Sequence, residues 1–285
     1  MPADAPLIRR LQEGADRFSR HQRTLARHVL QHQEAVAFAT AAELAAQAGV
    51  SEPTVVRFAK ALSFSGYPEF QKEVRRLLRA DLRGLERLQQ GAPAESARRT
   101  PLDLVLETER RNLATLQQSY DARRFGAAVR MLARASTVMV VGTRSTAALA
   151  HHLAFALGKI GIDAVRVTAV TTETYDRLGR LGPRGCVVVI GFPRYLREHV
   201  EVLAFAAARR TPTLAITDSV FSPLAADVVL HAPAESASFI AFHGAPLALV
   251  NALAHEVSAA DPARTRQALR QFEAVAERQN YFVKE

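Results

Sequence analysis

Two short runs of glycine, hydroxyl and arginine residues hold the groups most able to bind an anion. The first is Gly142-Thr143-Arg144-Ser145-Thr146, between an apolar run and a helical pattern that starts at Ala147. A glycine followed by hydroxyls at a helix N-terminus offers an anion backbone N–H groups, side-chain O–H groups and the positive end of the helix dipole. Arg144 adds a forked donor matched to phosphate or carboxylate. The competing reading is that Ser145 or Thr146 only caps the helix. The second run is Gly191-Phe192-Pro193-Arg194-Tyr195. Arg194 and Tyr195 are large and polar-tipped where a loop would accept small residues. The competing reading pairs Arg194 with Glu198 on the surface.

A different chemistry is written in residues 40–62. Ala41–Ala48 has helical spacing with Leu44 on its apolar face, and Gly49 follows as a stop that tolerates positive φ. Val50 pins what comes next to what came before. Ser51 is placed to cap a second helix over 52–62, and Pro53 sits in its first turn, where a missing N–H costs nothing. Val55, Phe58, Ala59 and Leu62 recur on one side, which leaves Thr54, Arg57 and Lys60 on the other. This is the build of a helix-turn-helix whose second helix meets base edges in the major groove of double-stranded operator DNA. Tyr67 and Lys72, just beyond it, complete the DNA-facing set. An ordinary helical hairpin with a basic face is the alternative.

Other reactive groups lead less far. His28 and His32 have metal-ligand spacing on one helix face, but two such histidines are better read as surface residues, so no metal is expected. Acid/base catalysis needs a residue within hydrogen-bond reach of the proton it moves. Glu235, His243 and His255 are candidates, and both histidines are equally well read as parts of a helix. His151 and His152 are adjacent and point apart. Cys186, the one cysteine, lies in an apolar strand and excludes an internal disulfide or a cysteine-based zinc cluster. No phosphate-binding G-x-G-x-x-G or Walker-type loop is present. No catalytic residue and no cofactor are assigned.

The elements that position these groups follow from hydrophobic spacing. Residues 7–33 read as two helices, with Ser19 capping the second. The helix beginning at Pro68 carries Phe70, Val74, Leu77 and Leu78 inward and Gln71, Lys72, Arg75, Arg76 and Arg79 outward. Residues 89–101 lose apolar periodicity and gain Gly, Pro and Ser, and the linker between the domains is expected over 81–101. Residues 102–118 and 121–133 are amphipathic helices, the first marked by a stripe of Leu102, Val105, Leu106, Leu113 and Leu116. Then β-branched runs alternate with helices: 136–142, Ala164–Val167, 185–191, Thr213–Thr217 and Val228–His231, with helices over 147–160, 198–209 and 243–259. The fold class is an all-α N-terminal helix-turn-helix domain over 1–80, then an α/β domain over 102–285 with a doubly wound, mostly parallel five-stranded sheet. Ligands bind such sheets beyond the carboxyl ends of the strands, where both glycine-led runs fall.

With 285 residues, the chain has room for two domains, and 48% hydrophobic residues mark it as globular. No apolar run approaches the ~20 residues that span a bilayer, so no membrane partner is expected. The run MPADAPLIRR lacks the apolar core of a signal peptide, and a cytoplasmic location is expected. A formal charge of +9 favours an anionic partner. The excess is spread out, at 12 basic and 8 acidic residues over 1–80, 10 and 7 over 81–134, and 15 and 13 over 135–285.

The run ELAAQAGVSEPTVVRFAKALSFSGYPEFQKEV resembles the N-terminal domain of RpiR-type bacterial transcriptional regulators over about 7–78. The post-helix GY-x-EF segment makes the resemblance specific. Ser63 stands where that family usually has Gly. Over about 125–259, the segments VVGTRS, ALGKIGIDA and TLAITDSVFSPLAADVVLHAP resemble the sugar isomerase (SIS) domain that follows in such regulators. Typical phosphosugar-binding SIS domains carry S-x-S-G-x-T after the third strand, whereas this chain has the Gly191–Tyr195 loop. The resemblance implies a SIS-like domain that binds a small anionic metabolite effector, a phosphosugar or a sugar acid. It also implies assembly as a homodimer or homotetramer.

Overall fold

The computed structural model describes residues 7, 10, 11, 18–81, 100–219, 222–236, 238 and 240–283. The chain separates into two compact units, Met1–Gly91 and Ala92–Glu285. Most of the linker expected over 81–101 lies outside the described residues, as do the side chains of Arg76 and Arg79.

The first unit is helical. Leu7, Arg10 and Leu11 are in helical conformation, followed by α1 (Arg20–Gln31), α2 (Gln33–Phe38), α3 (Ala41–Ala48), α4 (Glu52–Ala61) and α5 (Tyr67–Asp81). The termini obey local chemistry. Ser19 and Gln22 cap α1 reciprocally, and Thr40 and Glu43 do the same for α3. Gly49 ends α3 in the left-handed region at φ 65°, and the Val50 N–H returns to the Ala45 carbonyl at 2.9 Å. Leu44, Val55, Phe58, Leu62, Phe70 and Val74 form the core, with Phe58 edge-on to both Phe18 and Phe70.

Ser63 has φ 64°, a conformation that disfavours any side chain. Ser63→Gly is expected to stabilise this unit by about 0.5–1 kcal/mol, the relieved strain less the added freedom of the unfolded chain. Urea titration would show it as a raised midpoint, and a lowered midpoint would contradict it.

The second unit begins with α6 (Pro101–Ser119) and α7 (Ala122–Arg134). Then come β1 (Val138–Val141), α8 (Ala147–Lys159), β2 (Ala164–Val167), α9 (Thr172–Leu181), β3 (Cys186–Ile190), α10 (Arg197–Ala208), β4 (Thr213–Thr217), β5 (Val228–His231), α11 (Gly244–Ala260) and α12 (Pro262–Gln279). The five strands are all parallel in the order β2-β1-β3-β4-β5. Alternation along each strand feeds two cores. Val138, Val140, Cys186, Val188, Ile190, Leu214 and Ile216 meet α7, α8 and α11. Met139, Val141, Val187, Val189 and Ala215 meet α9 and α10. Burial pushes the Cys186 thiol up to about 12, so it stays a protonated, inert core group.

One expectation is reversed. The stripe on α6 faces water: Leu102, Val105, Leu106 and Leu113 are exposed, and only Leu116 is buried. The buried side carries Thr108 and Asn112. It can do so because the Thr108 hydroxyl donates to the Leu104 carbonyl at 2.8 Å and the Asn112 amide to the Glu235 carbonyl at 2.9 Å. Among the described residues, three helices went unread in the sequence: α2, α9 and α12.

Candidate DNA-binding and effector sites

Helix α4 presents Arg57 and Lys60 as exposed side chains, with Thr54 half-buried between them and Pro53 exposed in the first turn. Ser51 occupies the N-cap position with extended backbone, but its hydroxyl does not bond a backbone N–H. It lies 2.8 Å from the Thr54 hydroxyl, which in turn accepts from Arg57 Nη2 at 3.3 Å. The three polar groups therefore form one chain along the N-terminal face of α4, the part of a recognition helix that meets bases.

Tyr67 corrects the sequence reading. It is 8% exposed, and its hydroxyl donates to the Ala39 carbonyl at 2.7 Å. Burial, the largest influence, pushes its pKa up to about 12, so the donor is kept and is already used. Gln71 Nε2 donates to the same carbonyl at 2.6 Å, and Arg75 Nε donates to the Ala37 carbonyl at 2.7 Å. Gln71 and Arg75, read in the sequence as outward-facing, thus close the C-terminus of α2 and fasten α5 beside the start of α3. Lys72 remains exposed.

Arg10 was not singled out in the sequence. It is 4% exposed, donates through Nη1 to the carbonyls of Leu62 (3.0 Å) and Ser63 (3.1 Å), and lies over the Phe64 ring at 4.1 Å. It caps the C-terminus of α4 from a point more than fifty residues earlier.

In the second unit, β1 leads toward β2 and β3 leads toward β4, so the chain leaves the sheet in opposite directions after two adjacent strands. A crevice opens at such a switch point. The loops beside it are the two glycine-led runs. Their arginines, Arg144 (φ 54°) and Arg194 (φ 69°), are both exposed and both left-handed. Non-glycine residues held there cost about 1 kcal/mol or more and concentrate at functional loops. Among the described residues, neither guanidinium has a hydrogen-bond or ion-pair partner. Ser145 is also exposed.

Three other predicted effector residues are internal. Thr143 is 5% exposed and its hydroxyl donates to Glu198 Oε1 at 2.7 Å. With that proton given to a carboxylate, the contact of 3.1 Å to His199 Nε2 requires the imidazole to be the donor. Burial lowers the His199 pKa, with Glu198 opposing, which keeps the ring neutral in this role. Glu198 is therefore spent on Thr143 and not on Arg194. The buried Thr146 hydroxyl donates to the Thr143 carbonyl at 2.9 Å. Gly142 is buried where a Cβ would lie 2.8 Å from the Thr146 carbonyl oxygen. The Tyr195 hydroxyl donates to Asp218 at 2.5 Å, and burial raises its pKa further, so it fastens the second loop to the end of β4.

Of the acid/base candidates, His243 and His255 are set apart along α11. His255 is exposed in the body of α11, three turns or about 16 Å along the helix from its start. His243 immediately precedes α11, with its ring 5.5 Å from that of Phe192. The rings of His28 and His32 are 4.6 Å apart, and no group of three or more metal-binding side chains occurs among the described residues.

Comparison with known proteins agrees with both halves. Residues 6–80 match the helix-turn-helix domain of the rpiR family, and residues 131–256 match the SIS domain. The sugar isomerase domain of an RpiR transcription factor from Sphaerobacter thermophilus is 31% identical, with a TM-score of 0.60, over 62% of this chain and 99% of that one. The chain belongs to the RpiR family of transcriptional regulators, with an N-terminal helix-turn-helix and a C-terminal SIS domain. The regulator HexR of Escherichia coli is 22% identical across 79% of this chain and 76% of its own length. The Vibrio vulnificus NanR protein, solved in complex with ManNAc-6P, shares the fold at a TM-score of 0.59 and 20% identity, over 96% of this chain and 98% of its own. No helix among the described residues is long and apolar enough to cross a membrane.

Proposed function

We propose that this regulator binds double-stranded operator DNA through α4 and that a small anionic metabolite, held between the loops after β1 and β3, sets its affinity for that DNA. The observation that carries the reading is the pair of exposed, left-handed arginines, Arg144 and Arg194, flanking the switch point of the sheet. Guanidinium groups at a strand-end crevice match phosphate or carboxylate. Ser145 and the N–H groups leading into α8 supply neutral donors beside them. NanR, with the same fold, carries a phosphosugar, which supports a ligand of that kind here. The site residues act by binding and not by turnover.

The protein works as a homo-oligomer in this reading. One helix-turn-helix makes a small interface, and two half-sites about 34–36 Å apart raise affinity and specificity together. The exposed stripe of Leu102, Val105, Leu106 and Leu113 on α6 supports assembly, because contiguous apolar patches mark interaction surfaces. The effector acts through its differential affinity for the DNA-competent and DNA-incompetent arrangements.

The test measures operator binding by fluorescence anisotropy across a panel of phosphosugars, sugar acids and plain carboxylates. Arg57→Ala is expected to weaken operator binding by about 1–3 kcal/mol. Arg194→Ala is expected to retain DNA affinity and lose the metabolite response. A response that survives Arg194→Ala places the effector elsewhere, and unchanged operator affinity in Arg57→Ala removes that residue from the interface.

A further inference from the structure

Helix α12 runs for 18 residues and buries only Ala276. It is nevertheless held in place from its inner side. The Lys159 ammonium lies over the Phe272 ring at 2.8 Å from the centroid, and Arg264 Nη1 donates to the Ala133 carbonyl at 3.0 Å. On the side of the helix turned away from these contacts, Arg266, Leu269, Arg270, Glu273, Ala274 and Glu277 line one shallow depression. All six side chains are exposed.

The order of charges along this face is unfavourable within one helix. Arg266 and Arg270 are four residues apart, as are Glu273 and Glu277, and like charges at that spacing destabilise a helix. Among the described residues, none of the four has an ion-pair or hydrogen-bond partner. One arrangement relieves both repulsions. Turned about a two-fold axis midway between Gln271 and Phe272, a second α12 runs antiparallel to the first. Arg266 then faces Glu277 of the second copy, Arg270 faces Glu273, and Leu269 faces Ala274. Two of these pairs join opposite charges. The third sets a large apolar side chain against a small one, which suits helices packed about 8–10 Å apart. By symmetry each pair occurs twice. A parallel pairing sets arginine on arginine and glutamate on glutamate. Two arginines and two glutamates cancel, so the face draws neither nucleic acid nor an anionic membrane.

We propose that α12 is a self-complementary face through which two copies of this chain pair antiparallel, in the register that sets Arg266 on Glu277 and Arg270 on Glu273. The inference rests on the homo-oligomeric reading above and names a surface separate from the apolar stripe on α6. It differs from that stripe in kind. The order of charges fixes the direction and the register of pairing, whereas an apolar stripe fixes neither. The exposed ion pairs act on the choice of partner more than on affinity, and the two Leu269–Ala274 pairs supply apolar burial between them.

The experiment measures the mass of the full chain by sedimentation equilibrium over a range of concentrations. Two double variants are compared with the wild type: Arg266→Glu with Arg270→Glu, and Glu273→Arg with Glu277→Arg. Each leaves charges of one sign on the face. Each alone is expected to associate more weakly by roughly tenfold or more and to sediment at half the wild-type mass. Mixed in equal amounts, the two are expected to regain the wild-type mass, because one offers only carboxylates and the other only guanidinium groups. Wild-type mass in both double variants overturns the α12 face and leaves the homo-oligomer to another surface. Halved masses that the mixture does not restore overturn the antiparallel register. A wild type that is monomeric at every concentration removes both readings. Melting temperatures near that of the wild type exclude lost folding. Should a double variant unfold, the single variants Arg270→Glu and Glu273→Arg carry the same test, weaker alone and restored when mixed.

Discussion

Arg10→Met is expected to destabilise the helix-turn-helix unit by about 3 kcal/mol. The guanidinium is buried, donates to two carbonyls that end α4, and covers the Phe64 ring. Hydrogen bonds from a charged donor contribute about 1.5–3 kcal/mol, and a carbonyl left buried without a donor costs about 1–3 kcal/mol. Methionine keeps much of the apolar stem, so the change reads the lost donors more than lost packing. For a unit of this size, each kcal/mol moves the melting temperature by roughly 4–8 °C, so the transition should fall by more than 10 °C. The second unit has its own core and should melt as before. A shift under 2 °C would mean that the carbonyls find other donors and that Arg10 is not the cap of the recognition helix.

Acid should weaken the α/β unit before it weakens the helical one. His231, His199 and His243 all have pKa values below the ordinary histidine range, and burial is the first cause in each. For His231 the value is pushed down to about 4, with Arg124 adding to burial and Asp121 opposing. The unfolded chain binds a proton to each near pH 6.5, whereas the folded unit refuses it. Stability is therefore complete above pH 6.5 and falls as the pH drops toward 4, because the unfolded state binds more protons in that window. A fully shielded His231 would account for about 3 kcal/mol, and roughly half remains once solvent screening is allowed for. Urea midpoints measured from pH 7 to pH 4 should show this slope, and His231→Phe should flatten it. An identical slope in the variant would remove His231 from the linkage.

Much of the fold is legible in local pattern because its causes are local. The β-branched runs, each closed by a helical pattern, announce parallel strands, and Val138–Val141, Cys186–Ile190 and Thr213–Thr217 are buried throughout, as strands covered on both faces must be. Gly49 announces the turn because only its backbone conformation is required there. Arg57, Lys60, Arg144, Ser145 and Arg194 are exposed where their spacing places them.

Short or thinly buried elements escape such reading. The six residues of α2 are too few to show a period, and α12 buries only Ala276, so neither has a stripe to detect. The stripe on α6 misleads for the opposite reason. Spacing reveals that one face is apolar, but the neighbours decide which face is covered, and here Glu235 and Gly244 reward the polar side.

The sequence alone determined two units, their classes, the turn that aims α4 and the strand ends where arginines gather, since each follows from interactions within a few residues. Only the tertiary structure decided which of those polar groups are free. Tyr67 is consumed by Ala39, Thr143 by Glu198, Tyr195 by Asp218, and Arg10 closes α4 from a distant segment. These pairings join residues between 23 and 55 positions apart. Contacts at that range depend on how whole elements pack, so no local spacing can announce them.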